Sequence, residues 1–209
     1  MFFPLVGFCL GLILVLLDWA LDPYLASEIL SVVIVALLVL MTGAQQLEGL
    51  GRIFEKLCRR NLQDVVMSER YNRIGIISLL AVLVVIALKF RSIEVMGEVR
   101  SQGLLLAPLL ARWAMVVLAY GSKSADEETG RIMPAHVRGG HLFLATIFSL
   151  SLVILFARRS GLWVALWVSL FALISRFYLH RRIGGVSGDS FGAMAEISET
   201  FALVLFASL

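Results

Sequence analysis

Seven long apolar stretches constrain this chain more than any other feature. They run roughly over 2–17, 26–43, 74–90, 103–121, 142–157, 161–179 and 190–209. A bilayer core about 30 Å thick takes about 20 apolar residues to cross at 1.5 Å of helical rise each, so these stretches are near spanning length. Composition agrees: 60% of residues are hydrophobic and only 16% charged, against about 45–50% and about 25% in soluble domains. A soluble chain of this size would lack the polar surface to cover its core. The expected fold is all-α: a polytopic transmembrane bundle of about seven helices, forming one membrane domain over 1–209. The fourth stretch carries Pro108 and Arg112, and the last is interrupted by Glu196 and Glu199.

Loop charges give an orientation. Asp18, Asp22 and Glu28 lie between the first two stretches, with no Lys or Arg. The next loop holds Arg52, Lys56, Arg59, Arg60, Arg70 and Arg73. On the same side alternation puts Lys123, Arg131 and Arg138, then Arg181 and Arg182. The opposite side receives Lys89, Arg91, Arg100, Arg158 and Arg159. The excess of cations makes the side of the second loop cytoplasmic, in an inner (plasma) membrane, with 44–72 expected as an interfacial helix there. The opening run MFFPLVGFCLGLILVLL has neither a basic leader nor an A-x-A cleavage site, so it reads as a retained helix.

Several function classes lose support. Cys9 and Cys58 make neither a disulfide framework nor a zinc site. His136, His141 and His180 lack metal-ligand spacing. There is no G-x-S-x-G, Walker loop or H-E-x-x-H, and no internal repeat of the kind seen in inverted-repeat transporters. A net charge of +3 does not call for a nucleic-acid partner, because cytoplasmic loops of membrane proteins are basic anyway. Self-association into a homo-oligomer is left open.

Three polar constellations remain, all on the expected cytoplasmic side. In T-G-A-Q-Q-L-E-G-L-G-R-I-F-E, Glu48, Arg52 and Glu55 share one helical face at i, i+4 and i+7. Two carboxylates there suit a divalent metal that bridges phosphates; the competing reading is a solvated amphipathic helix. In R-I-G-G-V-S-G-D-S-F-G-A-M-A-E-I-S-E, Gly184, Gly185, Gly188 and Gly192 surround Asp189, with Glu196 and Glu199 following. Carboxylates inside an apolar span are costly and mark function; the alternative is a glycine-rich packing seam. The loop from Ser124 to Arg131 mixes Glu127, Glu128 and Arg131, and a solvated loop explains it equally well. Arg112 is expected to face the interior and meet a carboxylate or a bound phosphate.

These motifs resemble those of the cobalamin synthase family (cobalamin-5'-phosphate synthase, adenosylcobinamide-GDP ribazoletransferase). F-F-P-L-V-G-F-C-L-G-L is similar to its first-helix pattern. M-T-G-A-Q-Q-L-E-G-L-G lines up with M-T-G-G-x-H-L-D-G-L-A, and G-G-V-S-G-D-S-F-G-A-M-A-E-I-S-E with G-G-x-T-G-D-x-x-G-A-x-x-E-x-x-E. Arg112 and the 124–131 loop are placed like its R…Y…A-R-x-E-G-L-G region. Where the family has H-L-D-G-L-A-D-x-x-D, this chain has Gln46, Glu48, Arg52 and Glu55 at the four polar positions. Glu69 and Arg73-Ile74-Gly75 stand near its D-S-R-x-G.

The resemblance implies Mg²⁺-dependent transfer from adenosylcobinamide-GDP to α-ribazole or its 5'-phosphate, with GMP leaving. It implies Glu48, Glu55, Asp189 and Glu196 as catalytic metal ligands, joined by Glu199. Arg112, Gly184, Gly185, Gly188, Glu127, Glu128, Arg131, Glu69 and Arg73 are the substrate-binding candidates. Two other readings stay open: a phosphotransferase acting on another nucleotide-linked alcohol, and a family member kept for binding or scaffolding.

Overall fold

The computed structural model describes residues 2–58, 75–123 and 139–209. Among these residues the chain is helical, with no strand. In order the helices are α1 (Phe3–Leu21), α2 (Ser27–Met41), α3 (Gln45–Cys58), α4 (Ile76–Val95), α5 (Arg100–Ala119), α6 (Gly139–Ile183) and α7 (Gly188–Ala207). A single 3₁₀ turn, Gly97–Val99, joins α4 to α5.

Five helices are long and apolar enough to cross a membrane, and α2 taken with α3 makes a sixth. The longest supplies two passes. At 45 residues a straight α6 would measure about 68 Å, more than twice the bilayer core. It is not straight: Arg158 has φ 45° and ψ −125°. Its two ends return to one place. A side chain at Gly139 would stand against the Tyr120 hydroxyl. Arg176 donates to the Gly121 carbonyl at 2.8 Å, and His180 Nε2 accepts from the Lys123 amide at 3.1 Å. The 139–157 and 159–183 arms are therefore antiparallel, and the count of about seven passes stands.

The most buried helix is α5, in which every residue from Gly103 to Ala114 is inside. It is covered by α1 through direct backbone contact. A Cβ added at Gly7 would meet the Pro108 carbonyl, and one at Gly11 the Leu105 carbonyl. This G-x-x-x-G spacing lets two helices approach where lipid offers no hydrophobic drive toward association. The outward faces of α1, α4 and α6 carry large exposed apolar side chains, among them Leu16, Leu83, Trp163 and Phe177, as a lipid-facing surface requires.

At one end of the bundle Asp18 closes α1. Arg100 Nε donates to it at 2.9 Å, while the same guanidinium reaches Ser27 Oγ at 3.0 Å and the Ile93 carbonyl at 3.4 Å. One arginine thus ties together the adjoining ends of α1, α2, α4 and α5. At the other end α2 turns into α3 at 83°. Gly43 (φ 60°) and Ala44 (φ 57°) make the turn, so α3 lies across the end of α2, along the membrane boundary. Its apolar side, Leu47, Leu50 and Ile53, is buried, and Glu48 and Arg52 face out. The interfacial helix is thus present over Gln45–Cys58; the rest of the expected 44–72 element lies outside the described residues.

This arrangement puts Asp22 and Glu48 on opposite sides of the membrane. In a background without Cys9 and Cys58, Asp22→Cys and Glu48→Cys are expected to react with an impermeant thiol reagent from opposite faces of oriented vesicles. Labelling of both from one face would disprove the topology.

Candidate functional site

Polar side chains gather in two layers, one inside the membrane and one at the boundary beneath α3. The inner layer joins α4, α5 and α7. Lys89 Nζ lies 2.5 Å from Glu196 Oε1 and 2.7 Å from Glu199 Oε1. Arg112 Nη1 reaches the other Glu199 oxygen at 2.5 Å. All four residues are at most 3% exposed. By helical rise Glu196 and Glu199 lie about 12 and 17 Å below the start of α7, near mid-membrane. The Lys89–Glu196 contact is an ion pair without hydrogen-bond alignment; Lys89 donates its aligned bond to Glu199.

Two cations against two carboxylates make the layer neutral. That is how charges persist in lipid, where an unpaired one is costly. Arg112 meets a carboxylate, one of its two expected partners, and it is sealed from solution. Lys89 corrects the sequence reading. It was assigned to a loop on the far side, but α4 continues five residues beyond 90 to Val95 and carries Lys89 into the core. The signal was charge balance: Glu196 and Glu199 need two buried cations, and Arg112 is only one.

The outer layer forms where α3 crosses the start of α7. There the two backbones touch. A Cβ at Gly49 would stand 2.9 Å from the Asp189 carbonyl oxygen and 3.3 Å from the Gly192 Cα, and one at Gly192 would stand 3.3 Å from the Gln45 carbonyl. Gly49 and Gly192 therefore form a seam, and the seam delivers Asp189 to α3. Ser187 starts α7 with a capping box: its hydroxyl accepts from the Ser190 amide, and Ser190 Oγ accepts from the Ser187 amide. Gly184 (φ 82°) makes the preceding turn, and the Val186 amide donates to the Lys123 carbonyl at 2.9 Å. Among the described residues, and apart from the adjoining backbone, nothing lies within 4 Å of where side chains at Gly184 or Gly188 would begin.

Around Asp189 the partners are cations. Lys56 Nζ is 3.3 Å from Oδ2, and Arg52 Nη1 is 3.7 Å from Oδ1. Arg52 also pairs with Glu48 one turn back on α3. Side-chain exposure rises from 22% at Asp189 and 24% at Lys56 to 49% at Arg52 and 59% at Glu48, so this layer opens to solution. Glu55 accepts from Ser78 Oγ at 3.1 Å, while the same hydroxyl is 2.9 Å from the Gly51 carbonyl. Its carboxylate lies against Gly75 at the start of α4.

The structure thus brings Asp189 to the Glu48–Glu55 helix, while Glu196 and Glu199 belong to the inner layer with Lys89 and Arg112. Among the described residues no three carboxylate, His or Cys groups converge on a point that would hold a metal ion. Glu69, Arg73, Glu127, Glu128 and Arg131 lie outside the described residues. Lys56 was missed as a site residue. It is one turn beyond Arg52 on the same face, a spacing that i, i+4 reasoning would have picked out.

Breaking the inner layer has a defined cost. Lys89→Met leaves two acids facing one arginine and is expected to lower stability by about 3–5 kcal/mol. Adding Glu196→Gln to Lys89→Met should recover a large part of that loss. Unfolding in detergent micelles, run as a double-mutant cycle, measures the coupling; additive losses would mean that the two side chains do not act as a pair.

Known proteins point the same way. A family model described as cobalamin-5-phosphate synthase matches residues 1–207. The adenosylcobinamide-GDP ribazoletransferase of Thermoanaerobacter pseudethanolicus is 31% identical over 214 residues, covering 100% of this chain and 85% of that protein. That of Geotalea daltonii is 29% identical with the same coverages, and that of Roseiflexus sp. is 30% identical over 97% of this chain and 76% of its own length. No solved structure matches the chain. The match over nearly the full length establishes that the chain belongs to the cobalamin-5-phosphate synthase family.

Proposed function

We propose that this chain is a membrane-bound ribazoletransferase. A hydroxyl of α-ribazole or its 5'-phosphate attacks the cobinamide-side phosphorus of adenosylcobinamide-GDP. A new oxygen–phosphorus bond forms, the bond to the GMP oxygen breaks, and the hydroxyl proton passes to a carboxylate or to water. The observation that carries this reading is the seam itself. The E-G-L-G-R-I-F-E helix and the G-D-S-F-G-A turn, separate in sequence, lie in backbone contact at the edge of the membrane. Two soluble substrates can meet there without entering lipid. By loop charge this is the cytoplasmic face of the inner membrane.

Phosphoryl transfer is chiefly a matter of positioning and charge neutralisation. Arg52, half exposed, is placed to face the pyrophosphate from solution. Glu48, the most exposed carboxylate of the layer, is the candidate to take the hydroxyl proton. Asp189 aligns Arg52 and Lys56 through its two oxygens. Arg112 is sealed away with Glu199 and acts as a positioning residue: it sets the register of α7 and hence the height of Asp189. Mg²⁺ is the ion that the resemblance implies. The described carboxylates do not by themselves make a site for it, since the Asp189 oxygens face cations and Glu196 is two turns deeper.

A second reading, binding without turnover, draws on one observation: Glu48 and Asp189 are both already paired with cations. One assay separates the two. The purified chain in nanodiscs, given adenosylcobinamide-GDP and α-ribazole, should release GMP together with the corrinoid product. Asp189→Asn should slow release by about tenfold to a hundredfold. Gly49→Val, which adds no charge but forces α3 off Asp189, should slow it as well. Absence of GMP release from the unmodified chain would leave binding as its role.

A further inference from the structure

We infer that Arg52 and Lys56 occupy the place of a divalent metal ion between α3 and the start of α7. The inference deepens the proposed function and rests on its reading of the α3–α7 seam as the site. The sequence predicts a carboxylate-lined metal site here, and two of its carboxylates, Glu48 on α3 and Asp189 on α7, are reached by one side chain. What stands between them is a guanidinium that touches both and an ammonium on the far oxygen of Asp189.

The charge count is the same in both cases. Two carboxylates are neutralised by one divalent ion, or by two side chains carrying one positive charge each. Bridging is reproduced as well. A metal bound by two helices holds them together, and Arg52 does so by pairing with Glu48 in its own helix while reaching Asp189 in the next. Lys56, one turn further, holds the second Asp189 oxygen. The two cations also act against any ion that approaches. Like charges about 4 Å apart repel even in water, and each lone pair already directed at a cation is one that Mg²⁺ cannot use. Arg52 is the one that joins Glu48 to Asp189.

The consequence is a site whose assembly does not depend on divalent metal and which becomes a metal site when its cations are removed. Mn²⁺ serves as the probe, because its electron paramagnetic resonance signal reports bound ion without any substrate. The unmodified chain should bind no Mn²⁺ that Asp189→Asn removes, and it should unfold at the same temperature in EDTA and in Mg²⁺. The double variant Arg52→Ala/Lys56→Ala should unfold earlier in EDTA, regain stability in Mg²⁺, and bind Mn²⁺ at least about tenfold more tightly than the unmodified chain. Adding Asp189→Asn should abolish that gain.

Binding of Mn²⁺ to the unmodified chain that Asp189→Asn abolishes would overturn the inference, and so would a folded double variant with no gain in affinity. Should the double variant fail to fold, the comparison of the unmodified chain with Asp189→Asn decides alone. Turnover does not enter this measurement, so failure of the transferase assay and failure of the cation substitution would be seen separately.

Discussion

Two acids and two cations locked together near mid-membrane set the register of the whole bundle. Lys89, Arg112, Glu196 and Glu199 come from three helices, and none is tolerable in lipid without the others. Sliding α7 by one turn, about 5.4 Å, would carry Glu199 away from both cations. The network therefore fixes the height of α7 against α4 and α5. Asp189 lies in the first turn of α7, so fixing α7 fixes Asp189 at the membrane boundary against α3, whose Glu55 in turn meets Ser78 at the start of α4. The inner charges do not touch solution, yet they decide where the outer ones stand.

Close backbone contact does the rest. Gly7 and Gly11 let α1 lie on α5, and Gly49 and Gly192 let α3 lie on α7. In lipid such contacts replace the hydrophobic drive that would hold a soluble core. They are also stiff, because two backbones in contact leave no flexible side chain to absorb a shift. Arg100 and Asp18 pin the far end.

Apolar run length gave away the passes. Arg112 could be sent to the interior, to a carboxylate or a bound phosphate, because an arginine in the middle of an apolar run has few alternatives; the structure gives it Glu199. Lys89 could not be placed the same way. A lysine near the end of an apolar run reads as the flank of a helix, since its long stem lets the charge reach the interface; only the count of buried acids argues otherwise. The division of Asp189 from Glu196 was hidden for a related reason. An i, i+7 spacing puts two side chains on one face, but two turns apart they meet different neighbours: α3 at the boundary, α4 in the core. Periodicity reports direction around a helix and says nothing of depth.

Depth also explains which motif positions were free to change. A residue of the inner layer cannot switch sign alone, because the layer is neutral and buried. The outer layer is open to water, where a change of charge at position 52 is screened and the cost is modest. What limits it is the neighbouring carboxylates. A cation at 52 next to a bound divalent ion would oppose it, whereas a cation at 52 that takes over the ion's contacts needs a second positive charge to finish the task, since Asp189 has two oxygens and Glu48 claims part of Arg52. Lys56 supplies it from the next turn of the same face. The two residues therefore work together: Arg52 serves Glu48 and one Asp189 oxygen, and Lys56 serves the other.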